Sequence, residues 1–138
     1  MAIRAQELRI GNFVKTGQSN PFQVTGIFHE YIWALVQETD FPLKDIEPIP
    51  LTAEWLERFG FEKTQDGFFE YWRLSYWNNI GTVKSTISIS LELFQDTEDG
   101  NYYMGIWMGG DSVVHIYEVH QLQNLYFALT GEELTPKP

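Results

Sequence analysis

Between Val83 and Leu93 the chain alternates with period two. Val83, Ile87, Ile89, Leu91 and Leu93 share one parity, and Lys84, Thr86, Ser88, Ser90 and Glu92 share the other. Successive strand side chains point to opposite faces, so this run is a long strand with one dry and one wet face, as expected of an antiparallel sheet. A dry face needs a cover. The end of the chain offers one in EVHQLQNLYFALTG, Glu118 to Gly131. At about 100° per residue Val119, Leu122, Leu125, Tyr126 and Leu129 fall on one stripe, and Gly131 follows where a left-handed cap is least strained. The spacing therefore predicts a terminal amphipathic helix clamped onto the sheet.

Two features of this half exceed what packing requires. Beside the apolar stripe, His120, Gln123, Asn124 and Phe127 recur at spacings of three, four and seven. An imidazole, two amides and an aromatic edge can grip a peptide or polar ligand; the plainer reading is a solvated flank with Phe127 tucked against a loop. The second feature is FFEYWRLSYW, residues 68–77. Phe68, Trp72, Leu74 and Tyr76 lie on one side, and Phe69, Tyr71, Arg73 and Trp77 on the other. A strand apolar on both faces is either central between two layers or half of an interface, where Trp, Tyr and Arg dominate the binding energy. His120, Gln123, Asn124, Phe127, Phe69, Tyr71, Arg73 and Trp77 are therefore the candidate partner-binding residues.

The remaining elements complete an α+β reading. Short apolar runs at 8–15, 22–27, 31–37 and 41–46, the first kinked at Gly11, predict a small curled sheet or barrel of Src-homology-3 type over residues 1–50. Pro48 and Pro50 mark the boundary, since neither fits a central strand or a helix interior. Thr52 then caps a short helix carrying Trp55, Leu56 and Phe59, with Gly60 at its left-handed end and Phe61 reaching back to Leu56. Over 51–138 the order expected is helix, four antiparallel strands (68–77, 83–93, 102–109, 113–117), helix. Residues 1–6 and 135–138 read as loose ends.

Nineteen acidic against nine basic residues give a formal charge of −10. Residues 1–50 hold four basic and six acidic groups, and residues 51–138 hold five and thirteen. Phosphate backbones and anionic membranes both need clustered Lys and Arg, so direct nucleic-acid and membrane binding are not expected. There are no cysteines, which removes disulfides and thiolate metal sites. His115 and His120 fall on different elements without a ligand spacing, no Gly-x-Ser-x-Gly elbow or phosphate loop occurs, and no carboxylate pair is forced into a cleft. No catalytic residue, cofactor or metal follows. With neither a signal-like apolar run nor a membrane span, a cytoplasmic location is expected.

The segments LRIGNFV, IEPIPLTAEWLERFGFEK and VHQLQNLYFALTGEEL resemble those of a family of small uncharacterised bacterial proteins often associated with phages and mobile elements. The resemblance covers about a third of the chain. It implies a cytoplasmic accessory protein and carries over no catalytic residue. At 16% aromatic content, with each ring able to bury on the order of 150–250 Å², there is core material to spare. The function expected is thus non-enzymatic: an interaction or regulatory protein that binds another protein, or its own copy, through aromatic and acidic surface. Two alternatives stand beside it. One is an acidic decoy of a nucleic-acid-binding protein, built on a ridge of Glu70, Glu92, Asp96, Glu98 and Asp99. The other is a small-molecule-binding enzyme with a pocket beside His120.

Overall fold

The computed structural model describes residues 3–17, 20–35, 39–67, 69–80, 83–96, 98–106 and 112–137. The fold is α+β, with three antiparallel sheets of three, three and five strands and two α-helices. The chain divides into two compact units, Met1–Pro50 with Tyr117–Leu134, and Leu51–Ile116 with Thr135–Pro138.

In the first unit, a 3-10 turn at Ala5–Glu7 leads to β1 (Phe13–Thr16), β2 (Phe22–Gln23), β3 (Gly26–Ile27), β4 (Tyr31–Ala34), β5 (Thr39–Pro42), a second 3-10 turn at Leu43–Asp45 and β6 (Ile46–Glu47). The first strand does not run from residue 8 through a kink. Arg9–Asn12 is a hydrogen-bonded turn, Asn12 N–H donating to the Arg9 carbonyl at 3.1 Å, with Gly11 at φ +102°. That conformation at the third turn residue favours glycine. Nor do the strands form a closed or curled barrel. They make two open sheets, in orders β2-β1-β6 and β3-β4-β5. The reason lies at Val24–Thr25, which splits the expected strand 22–27. Val24 N–H donates back to the Asn12 carbonyl, while Thr25 N–H donates forward to the Trp33 carbonyl, so the chain passes from one ladder to the other. Ile3, Leu8, Val14, Phe22, Val24, Ile32, Ala34 and Ile46 form the core of this unit, with Phe22 and Phe41 stacked at 4.7 Å.

In the second unit, α1 (Ala53–Arg58) begins at Thr52, whose hydroxyl accepts from Trp55 N–H at 3.4 Å. It ends as the spacing predicts. Gly60, at φ +94°, and Phe61 donate to the Glu57 and Leu56 carbonyls, a Schellman closure with Phe61 and Leu56 both buried. The sheet comprises β7 (Glu62–Asp66), β8 (Phe69–Ile80), β9 (Val83–Gln95), β10 (Tyr102–Ile106) and β11 (Ser112–Ile116), in spatial order β11-β10-β9-β8-β7. It has five strands where four were expected. The missed strand, EKTQD, is an edge strand with no apolar alternation to reveal it; charged, polar edges discourage further pairing. Residues 135–137 are not a loose end, since Lys137 N–H donates to the Arg58 carbonyl at 2.6 Å.

The terminal helix α2 (Val119–Thr130) has its boundaries where the periodicity placed them, with Gly131 at φ +76°. The compact units group it with the first fifty residues. Gln121 Oε1 accepts from Tyr117 and Glu118 N–H, and Val119 N–H donates to the Ile49 carbonyl at 2.8 Å.

Leu56 is fully buried. Leu56→Ala is expected to lower stability by about 2–5 kcal/mol, whereas Lys137→Ala, which keeps the backbone bond, is expected to stay within about 0.5 kcal/mol. Urea denaturation of the two variants checks the contrast.

Candidate functional site

The polar stripe of α2 is brought together on one target, the turn that opens the first sheet. Gln123 is fully buried. Its Oε1 accepts from Phe13 N–H at 2.9 Å, and its Nε2 lies within bonding distance of the Gly11 carbonyl (3.1 Å) and the Leu134 carbonyl (3.3 Å). Asn124 donates to the Glu7 carbonyl at 2.8 Å and accepts from the Asn12 side-chain amide at 3.0 Å. Asn12, also fully buried, accepts from Arg9 N–H at 2.7 Å. Phe127 is 38% exposed, with the Arg9 guanidinium 3.6 Å over its ring centroid, and Arg9 also pairs with Glu133. Backbone groups in a strand ladder are already paired, whereas a turn leaves carbonyls and N–H groups open. The two amides fit those open groups.

His120 lies at the start of the same stripe and is 1% exposed. Neither ring nitrogen has a hydrogen-bond partner among the described residues. Its Nδ1 is 3.6 Å from Glu118 Oε2, beyond hydrogen-bond range. Burial, and then the Glu7 carboxylate, push the Glu118 carboxyl above its usual range.

The strand candidates lie on the second unit's sheet. By register Tyr71 faces Phe94 and Arg73 faces Glu92, so Tyr71 and Arg73 share the wet face of the alternating strand β9, while the backbone of Trp77 pairs with that of Ser88. Phe69 has the same parity on β8, pairing with Asp66. The side chains of Phe69 and Trp77 lie outside the described residues, as does Phe68. Across that face runs a row of rings, one per strand. Tyr71 and Phe94 have centroids 5.5 Å apart, Phe94 and Tyr103 5.7 Å, and Tyr103 and His115 6.2 Å. These are the directly opposed pairs of β8–β9, β9–β10 and β10–β11, the positions at which cross-strand side chains interact. Tyr71 is buried, Phe94 and Tyr103 are half-buried, and His115 is exposed. Arg73 closes the row at one end, donating to the Tyr71 hydroxyl at 3.1 Å and to Glu92 at 3.0 Å. On the opposite face Trp72, Leu91 and Leu93 are buried.

Four of the five carboxylates of the proposed acidic ridge are engaged locally. Glu70 pairs with Lys63 and Glu92 with Arg73. Asp96 and Asp99 accept from Glu98 and Asn101 N–H within the β9–β10 turn. A concavity of about 510 Å³ in the first unit is lined by His29, Glu30, Tyr31, Pro42, Leu43 and Lys44, and His120 is not among them. Among the described residues no group of three potential metal ligands converges, and no helix is long and apolar enough to cross a membrane. No family model, curated protein or solved structure matches the chain.

Reasoning from the sequence missed Phe94 and Tyr103 as partners of Tyr71. One signal was available, because Phe94 has the polar parity of the run 83–93 and puts an aromatic ring where the pattern calls for a hydrophilic group. It also missed Arg9, Gly11 and Asn12 as the partners of the helix, and no periodicity marks these.

Gln123→Leu keeps the volume and removes every polar contact, so it is expected to destabilise the protein by roughly 1–3 kcal/mol for each buried group left unpaired. A double-mutant cycle of Asn12→Ala with Asn124→Ala is expected to give a coupling of about 0.5–3 kcal/mol by urea denaturation. Additivity of the two would contradict the direct bond.

Proposed function

We propose that the chain is a non-enzymatic interaction or regulatory protein whose contact surface is the aromatic row on the wet face of the second unit's sheet. The observation that supports this is the row itself: Tyr71, Phe94, Tyr103 and His115 in register across four strands, on the face where the alternation of β9 places serines and Glu92. Half-buried aromatics flanked by an Arg–carboxylate pair have the composition of binding hot spots, with an apolar centre and a charged rim. The surplus of acidic groups over residues 51–138 favours a partner with a basic rim. The resemblance of the LRIGNFV, IEPIPLTAEWLERFGFEK and VHQLQNLYFALTGEEL segments to phage-associated and mobile-element proteins is consistent with an accessory role in the cytoplasm.

Within this reading the α2 stripe holds the fold rather than a ligand. His120, Gln123 and Asn124 leave the contact surface, while Tyr71 and Arg73 stay on it and Phe69 and Trp77 stay candidates by backbone register alone. Local neutralisation of Glu70 and Glu92 weakens the decoy alternative.

The test uses Phe94→Thr and Tyr103→Thr, which keep a strand-forming residue at each position. Light scattering of the purified protein and affinity capture from bacterial extract are run on wild type and variants, with circular dichroism confirming the fold. A dimer mass or a stoichiometric partner in the wild type, weakened at least about 30-fold in the folded variants, is expected for a hot spot worth about 2 kcal/mol. A monomer with identical captures in all three proteins contradicts the proposal.

A further inference from the structure

His120 stands apart from the rest of the α2 stripe. Gln123, Asn124 and Phe127 are each spent on a named contact, whereas His120 is sealed from solvent with neither ring nitrogen hydrogen-bonded among the described residues. It is the second residue of α2, one turn before Gln123. Two carboxylates act around it. Glu118, from its own helix, has Oε2 3.6 Å from Nδ1. Glu7, from the 3-10 turn against which α2 is seated, acts on both His120 and Glu118, and is itself held by Arg4, whose backbone N–H it accepts at 2.7 Å.

A neutral imidazole without partners forgoes hydrogen bonds, whereas an imidazolium there would be a buried charge, which is far more costly. It would also sit beside the positive end of the α2 dipole, which opposes a cation in the first turn. Glu118 and Glu7 work in the other direction. Glu7 is occupied by Arg4, and Glu118 Oε2 stands 3.6 Å from Nδ1, outside hydrogen-bond range. We infer that His120 makes the seating of α2 proton-sensitive: the neutral ring lets the helix rest on residues 7–13, and acidification loosens that contact from the N-terminal turn of α2 outward.

The direction of the imidazole's titration agrees. Desolvation lowers its value below that of a free histidine, and the Glu7 charge offsets this only in part. A base depressed in the folded state takes up its proton later than in the unlatched chain. Stability is therefore intact above the free imidazole value of about 6.5 and falls with pH below it, until the folded value is reached. Glu118, raised in the folded state, acts in the opposite sense. Its contribution is present at low pH and is lost as pH rises through its folded value.

Amide hydrogen exchange on the full chain, corrected for intrinsic rates and followed from pH 7.5 to 5.5, tests the inference against His120→Leu. Because Glu118 is present in both proteins, the difference in slope isolates the imidazole. In the wild type, protection of the amides of α2 and of residues 7–13 is expected to fall by up to about tenfold per pH unit below 6.5. In His120→Leu it should not fall, since only the opposite dependence of Glu118 remains, and the amides of α1 should show no such loss in either protein. Wild-type protection that stays level, or a loss shared equally by α1, overturns the inference. Should His120→Leu fail to fold, the Cε1 resonance of His120 in the wild type decides. Titration below the free-histidine range together with the α2 slope supports the latch, and titration at or above it with α2 still protected refutes it.

Discussion

Two side-chain amides of the last helix, Gln123 fully buried and Asn124 half-buried, settle where that helix can rest. Gln123 and Asn124 together reach Glu7, Gly11, Asn12, Phe13 and Leu134 through buried and part-buried hydrogen bonds. An apolar stripe such as Val119, Leu122 and Tyr126 will pack on any dry surface of suitable width. A buried amide cannot, because a group left unpaired costs about as much as the packing gained from a side chain. The polar stripe therefore supplies the address and the apolar stripe most of the adhesion. Only an irregular segment with open backbone groups meets that address, and the Arg9–Asn12 turn, held open by Gly11, is one.

The second unit is organised differently. Here the register of five strands does the specifying, and side chains follow from it. Opposed positions carry ring against ring along one row and Arg against carboxylate along the next, so each ladder contact is repeated at side-chain level. On β9 Leu91 and Leu93 take the dry face. Phe94 breaks the alternation, and that break places an aromatic ring between Tyr71 and Tyr103. A row fixed by backbone register holds its rings in place before any partner arrives, which reduces the ordering cost of binding.

What could be read from the residues depended on whether the signal was periodic. The helix at 53–58, its glycine-closed end, the long strand β9 and both ends of α2 were legible because spacing and capping chemistry are local. The polar edge strand Glu62–Asp66 was not, since nothing apolar marks it. The two small sheets of the first unit were misjudged as a barrel because Val24 and Thr25 divide their hydrogen bonds between ladders, which no side-chain pattern records. The α2 stripe was legible as unusual. Its meaning was not, because His120, Gln123 and Asn124 have the same chemistry whether they bind a ligand or a turn more than a hundred residues away. The segments LRIGNFV and VHQLQNLYFALTG, more than a hundred residues apart, bond to one another through Gln123 and Asn124.

The central claim is that the amides of α2 seat the helix on residues 7–13. Nuclear Overhauser contacts of the Gln123 and Asn124 side-chain amides test it most directly, because those protons are visible only when held. The account predicts slowly exchanging Gln123 amide protons with strong contacts to Gly11 and Phe13, and Asn124 contacts to Asn12. Rapidly exchanging amides with no contact to residues 7–13 would contradict it.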